Sequence, residues 1–150
     1  MATSKLPAII TALVLIAMAL TITTYGAITV SKNLSSTGSI NVSANLGVYS
    51  DSACTTTLSA IDWGTITPGS TVNRTVYVKN IGTGTSLTLS MSPSGWSPAS
   101  ASTYITISWN RQGTTLVPGA STAATITLTA SSSTVDITSF SVQISITGTA

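Results

Sequence analysis

Ser139-Phe140-Ser141-Val142-Gln143-Ile144-Ser145-Ile146-Thr147 places apolar side chains on every even position and a hydroxyl or amide on every odd one. A period of two sustained over nine residues is a strand with one face in a core and the other in water. The same period recurs upstream. Val72, Val76 and Val78 alternate with Asn73, Thr75, Tyr77 and Lys79, and Leu87, Leu89 and Met91 alternate with Thr and Ser. Ile105, Ile107 and Trp109 share one phase, Ile126 and Leu128 another, and Ile40, Val42, Ala44, Leu46 and Val48 read as one run. Arg74 falls on an inward phase, which predicts a place near a sheet edge. Pro68-Gly69 and Pro118-Gly119 supply turns with proline first and glycine next, and Asn80-Ile81-Gly82, Ser94-Gly95 and Asn110-Arg111-Gln112-Gly113 supply residues that tolerate positive φ. Six to eight short strands, with no helical period after residue 27, predict an all-β antiparallel sandwich over residues 39–150.

Composition agrees and excludes a good deal. A chain of 150 residues supports one domain with one modest core. Ser and Thr occupy 54 of the 150 positions (25 and 29), whereas only eight side chains are charged: three Lys, two Arg and three Asp. Ordinary domains are about a quarter charged, so a hydroxyl surface replaces the usual ionic one. Without His there is no Ser-His-Asp or Cys-His pair and no imidazole ligand. Without Glu, carboxylate chemistry is limited to Asp51, Asp62 and Asp136, too few for a calcium cage that wants several carboxylates. The five basic residues are scattered, which argues against nucleic acid. The expectation is therefore no enzyme, no cofactor and no metal. Low charge does not mean disorder here, since the chain is 43% hydrophobic with a mean hydropathy of +0.48. Cys54 is the single cysteine, so no disulfide closes the domain, and it is expected to be a small buried residue.

Residues 1–26 form a hydrophobic N-terminal segment. No charge lies between Lys5 and Lys32, and Leu6–Leu20 is almost wholly apolar, as a helix spanning or entering a bilayer requires. Three readings stand side by side: a secretory signal cut after Gly26 or near Ala19, a retained membrane anchor, or a pilin-like helix cut after Lys5. Each puts the remaining chain outside the membrane. Residues 27–38 read as an extended arm or linker whose Ile28 and Val30 could pair with the sheet edge of a neighbour. The sequons at Asn33, Asn41 and Asn73 fit an extracellular address and mark candidate glycosylation sites.

The block Ile61-Asp62-Trp63-Gly64-Thr65, then Pro68-Gly69, then Thr75-Val76-Tyr77-Val78-Lys79-Asn80-Ile81-Gly82 carries a family resemblance. It resembles immunoglobulin-like sandwiches of archaeal surface proteins and, more loosely, the TasA/camelysin matrix-fibre family, over residues 40–147. The resemblance implies a single immunoglobulin-like or jelly-roll sandwich behind an N-terminal hydrophobic helix. It also implies a subunit of an archaeal pilus or fibre that self-associates into a homopolymer and meets the membrane at least during export. The small residue and early Glu of the pilin leader are absent. Two alternatives come from the residues themselves: a membrane-anchored surface domain that never polymerises, and a carbohydrate-binding adhesin. Trp63 and Trp109 are expected in the core. Trp96, in Pro93-Ser94-Gly95-Trp96-Ser97-Pro98, is expected in a loop as a contact for a neighbouring subunit or a glycan.

Overall fold

In the computed structural model, residues 34–43, 45–133 and 137–150 are described. The expected N-terminal helix, Ile28, Val30, Asn33 and Asp136 lie outside them. The chain divides into two units at Val30/Ser31, and the described residues belong to the second.

The described chain runs β1 (Leu34–Val42), β2 (Leu46–Tyr49), β3 (Ala60–Ile66), β4 (Thr71–Asn80), β5 (Leu87–Ser97), one helical turn α1 (Ala101–Tyr104), β6 (Ile105–Trp109), β7 (Thr115–Leu116), β8 (Ser121–Ala130) and β9 (Ser139–Thr149). These strands form two sheets, a five-stranded one in the order β3-β1-β9-β5-β7 and a four-stranded one in the order β2-β4-β8-β6. The inward residues of both sheets meet in one apolar cluster that includes Trp63, Leu89, Ile126, Leu128, Ile144 and Ile146. The quoted strand lies as its alternation predicts: Phe140, Val142, Ile144 and Ile146 are all at most 4% exposed. Outward, Thr71, Asn73 and Thr75 of β4 stand across from Thr129, Thr127 and Thr125 of β8, so hydroxyls cover that face.

Four expectations are corrected. The run from Ile40 to Val48 is two strands: it leaves the five-stranded sheet after Val42 and enters the other at Leu46. Asn45, at φ +66, and a bond from the Leu46 N–H to the Ser43 carbonyl make the bend. The sheet also begins at Leu34, so residues 34–38 are strand and not linker. Not every pair is antiparallel, because β1 runs parallel to β9 from Ser35↔Ser139 to Val42↔Ile146. A parallel pair needs a long crossover, and here nearly the whole domain lies between the two strands. Finally, Pro93–Ser97 continues β5, with Gly95 at φ +60 and a register shift between Ser94 and Ser97 absorbing the irregularity.

The turns follow their residues. In Thr67–Ser70 and Val117–Ala120 the fourth N–H bonds the first carbonyl, at 3.0 and 3.1 Å. Gly69 and Gly119 sit at φ +80 and +78, as a turn with proline followed by glycine requires.

Candidate functional site

β1 is the first described strand after the apolar N-terminal segment in the sequence. β3 pairs with β1 and with no other described strand, so β1 is the only ladder joining β3 to β9. Leu34 is fully buried, and its inward neighbours are Ser36 and Gly38. Gly38 suits the packing: a Cβ there would stand 3.1 Å from the Trp63 indole nitrogen, a tight approach that would push the ring by a few tenths of an ångström. Trp63 fills the space that β1 leaves empty.

The Asp62-Trp63-Gly64 triplet is a β-bulge. Ser36 pairs with Gly64 and Thr37 with Asp62, leaving Trp63 as the extra residue. Gly64 takes φ +71 and its N–H donates to the Asp62 carboxylate at 2.8 Å. The extra residue shifts the inward phase from Ile61 and Trp63 to Ile66. Arg74, expected near an edge, donates from Nε to the Asp62 carbonyl (3.0 Å) and from Nη2 to the Trp63 carbonyl (3.1 Å). Its guanidinium thus bridges β4 to the bulge of the other sheet.

Two buried polar atoms have no hydrogen-bond partner among the described residues, the Ser36 hydroxyl and the Trp63 indole N–H. An unpaired buried group costs about 1–3 kcal/mol. Both lie where β1 meets β3, so the inserted strand is seated with less than its full complement of bonds. Beside it, Ser35, Ser36, Thr37, Ser97, Ser139 and Ser141 line a groove of about 360 Å³ that also meets Phe140. The Trp96 ring packs on Phe140, with centroids 6.0 Å apart and planes at 34°, so Trp96 is a half-buried residue of β5 and not a loop tip. The groove offers neutral hydroxyl donors and acceptors.

A second polar centre was not read from sequence. Asn80 is 0% exposed, and its amide donates to the carbonyls of Thr85 (2.9 Å) and Leu116 (3.0 Å) while its Oδ1 accepts the Gly82 N–H (3.0 Å). Asn80 therefore ties β4, the following loop and β7 together. Gln112 does similar work: its Oε1 accepts from the Met91 N–H and the Trp109 indole N–H, and its Nε2 donates to the Ser90 hydroxyl. Trp109 packs against the core as expected but stays half-buried, because it ends an outermost strand.

The candidate glycosylation residues fall on opposite sheets. Asn41 is exposed on β1 across from Ser145, and Asn73 is exposed on β4 across from Thr127. The hydroxyl of the Asn41 sequon is occupied, since Ser43 Oγ accepts the Gly148 N–H at 3.0 Å; Thr75 of the Asn73 sequon is exposed. Cys54 is not buried: it is half-exposed at φ +55 in the loop after β2. That loop is closed by Asp51, whose carboxylate accepts the N–H groups of Thr55 and Thr56 and the Thr55 hydroxyl. The backbone N–H groups of Thr56 and Thr55 hold the Asp51 carboxyl below its ordinary pKa. Among the described residues no group of three His, Cys, Asp or Glu could hold a metal ion, and no helix is long and apolar enough to cross a membrane. Comparison with protein-family models, curated proteins and solved structures finds no match to this chain.

Proposed function

We propose that this chain is a structural subunit of an extracellular cell-surface filament, a pilus or matrix fibre. On this reading it is exported through its N-terminal hydrophobic segment and assembles through that segment or a strand donated from it. The folded unit is read as an immunoglobulin-like or jelly-roll sandwich. The observation that carries the reading is the seat of β1, which lies between β3 and β9 and is hydrogen-bonded to both. A pull on the chain before Leu34 acts along β1 and loads both ladders in shear, instead of peeling one strand from an edge. That arrangement suits a subunit held by its N-terminal region. Hydroxyl faces with few charges support close packing of copies without ionic repulsion, and Asn41 and Asn73 offer places for a glycan coat. The hydroxyl groove beside Phe140 and Trp96 favours carbohydrate contact as a second reading.

Electron microscopy of the full chain and of a chain beginning at Leu34 tests the proposal. The full chain should form filaments and the shortened one should not. Filaments from the shortened chain would place the contact within residues 34–150 and refute the N-terminal route.

A further inference from the structure

Three of the four outermost strands are covered. On β3, Arg74 takes the Asp62 and Trp63 carbonyls and Gly64 bulges the strand. The two-residue β7 has its Leu116 carbonyl taken by Asn80. β2 is flanked by its own following loop, through the Tyr49↔Thr57 bridge and a bond from the Leu58 N–H to the Val48 carbonyl. Short strands, bulges and covering loops are the devices that stop sheet edges from pairing.

β6 is covered only at its start, by α1. Its even residues face β8: on either side of the ladder, the Asn110 N–H bonds the Thr125 carbonyl and the Ser131 N–H bonds the Tyr104 carbonyl. Backbone groups alternate in direction along a strand, so those of Ile105, Ile107 and Trp109 point away from β8. The Ile105 N–H is used by the Ala101 carbonyl of α1. The Ile105 carbonyl and both backbone groups of Ile107 and Trp109 have no hydrogen-bond partner among the described residues. The strand Ile105-Thr106-Ile107-Ser108-Trp109 contains no charge, proline or glycine. Its inward set ends on Trp109, whose flank is half-exposed although Ile105 and Ile107 are buried.

We propose that β6 pairs antiparallel with β6 of a second copy, about a two-fold axis at Ile107, fusing the two four-stranded sheets into one. The strand is self-complementary in that register. Ile107 exchanges reciprocal bonds with its counterpart, and each Trp109 N–H meets the Ile105 carbonyl of the other copy. On the inner face each Trp109 gains Ile105 as a cover. On the outer face Thr106 stands across from Ser108, continuing the hydroxyl layer with no like charges opposed. This contact is separate from the N-terminal one and does not depend on it.

Amide hydrogen exchange on the full chain at low and high protein concentration tests the pairing. The Ile107 and Trp109 amides should slow by about tenfold or more as concentration rises. Thr106→Lys with Ser108→Lys opposes lysines across the axis on exposed positions, and should leave those two amides fast at every concentration. Thr106→Lys with Ser108→Glu sets opposite charges across the same axis and should restore the slowing. The Val76 and Val78 amides, inside the β4–β8 ladder of the same sheet, report that each variant is folded. Concentration-independent exchange at Ile107 and Trp109 in the unsubstituted chain would overturn the proposal. So would slowing that survives the double lysine substitution, or a Lys/Glu pair that behaves like Lys/Lys.

Discussion

The two sheets end differently. The five-stranded sheet is guarded at both edges by side chains from one strand of the other sheet, since Arg74 and Asn80 both belong to β4. In the four-stranded sheet a loop folds back along β2, the Asn110 and Arg111 side chains take the Thr125 N–H and the Ala123 carbonyl of β8 just past the end of β6, and the edge of β6 from the Ile105 carbonyl to Trp109 is left bare. An edge is therefore closed here by a few polar groups reaching across the sandwich, and where no such group is within reach the edge stays open for a partner. The five-stranded sheet is also the one that holds β1, the first described strand after the N-terminal segment.

The largest break in this comparison comes from shortening β1. A chain beginning at Ser39 loses Leu34, the Ser36↔Gly64 and Thr37↔Asp62 pairs and most of the attachment of β3. The expected loss is about 5 kcal/mol or more, comparable to the whole stability of a small domain, so far-ultraviolet circular dichroism should show it unfolded while a chain from Leu34 melts cooperatively. Trp63→Ala removes the side chain that fills the gap over Gly38 and should cost about 3–5 kcal/mol in urea unfolding.

Asn80→Ala strips the buried Leu116 carbonyl and the part-buried Thr85 carbonyl of their donor at once and should cost about 2–4 kcal/mol. Arg74→Ala should cost less, about 1–2 kcal/mol, because the guanidinium is half-exposed and its carbonyl partners regain water. Its more telling effect is to uncover β3, so the variant should self-associate at concentrations where the parent does not, by light scattering. If Arg74→Ala leaves association unchanged, the guarding role of β4 is wrong.

The smallest effect concerns acid. Asp51 is held as an anion below its ordinary pKa by the Thr55 and Thr56 N–H groups. A lowered folded pKa gives stability that is present above the unfolded value and lost as pH falls through the folded one. The loss should therefore be confined below about pH 4 and be slight, because the loop is at the surface. Thermal melts of Asp51→Asn should fall slightly below the parent at pH 7 and coincide with it near pH 2.

How much of this was legible follows from what each strand uses. The inward faces of β6, β8 and β9, and of β4 apart from Arg74 and Asn80, are apolar at nearly every second residue, and hydrophobicity alone reports them. Arg74 was legible as an anomaly because a charge on an inward phase must reach something. β1 was not, because Leu-Ser-Ser-Thr-Gly-Ser gives the core only Leu34 before Ile40; its partner's tryptophan supplies the missing volume, and that exchange leaves no trace in the β1 sequence. Asn80 reads as a turn residue because Gly82 follows it. Only the fold reveals that its amide is sealed inside between two carbonyls. The bare edge of β6 is a property of what surrounds the strand, which periodicity does not carry.

Sedimentation velocity separates the N-terminal contact from the β6 contact and so tests the central claim most directly. Both the full chain and a chain beginning at Leu34 would carry Thr106→Lys and Ser108→Lys, which close the β6 edge. The account predicts large assemblies from the full chain and a single species of monomer mass from the shortened one. Monomers from both, or assemblies from both, would contradict it.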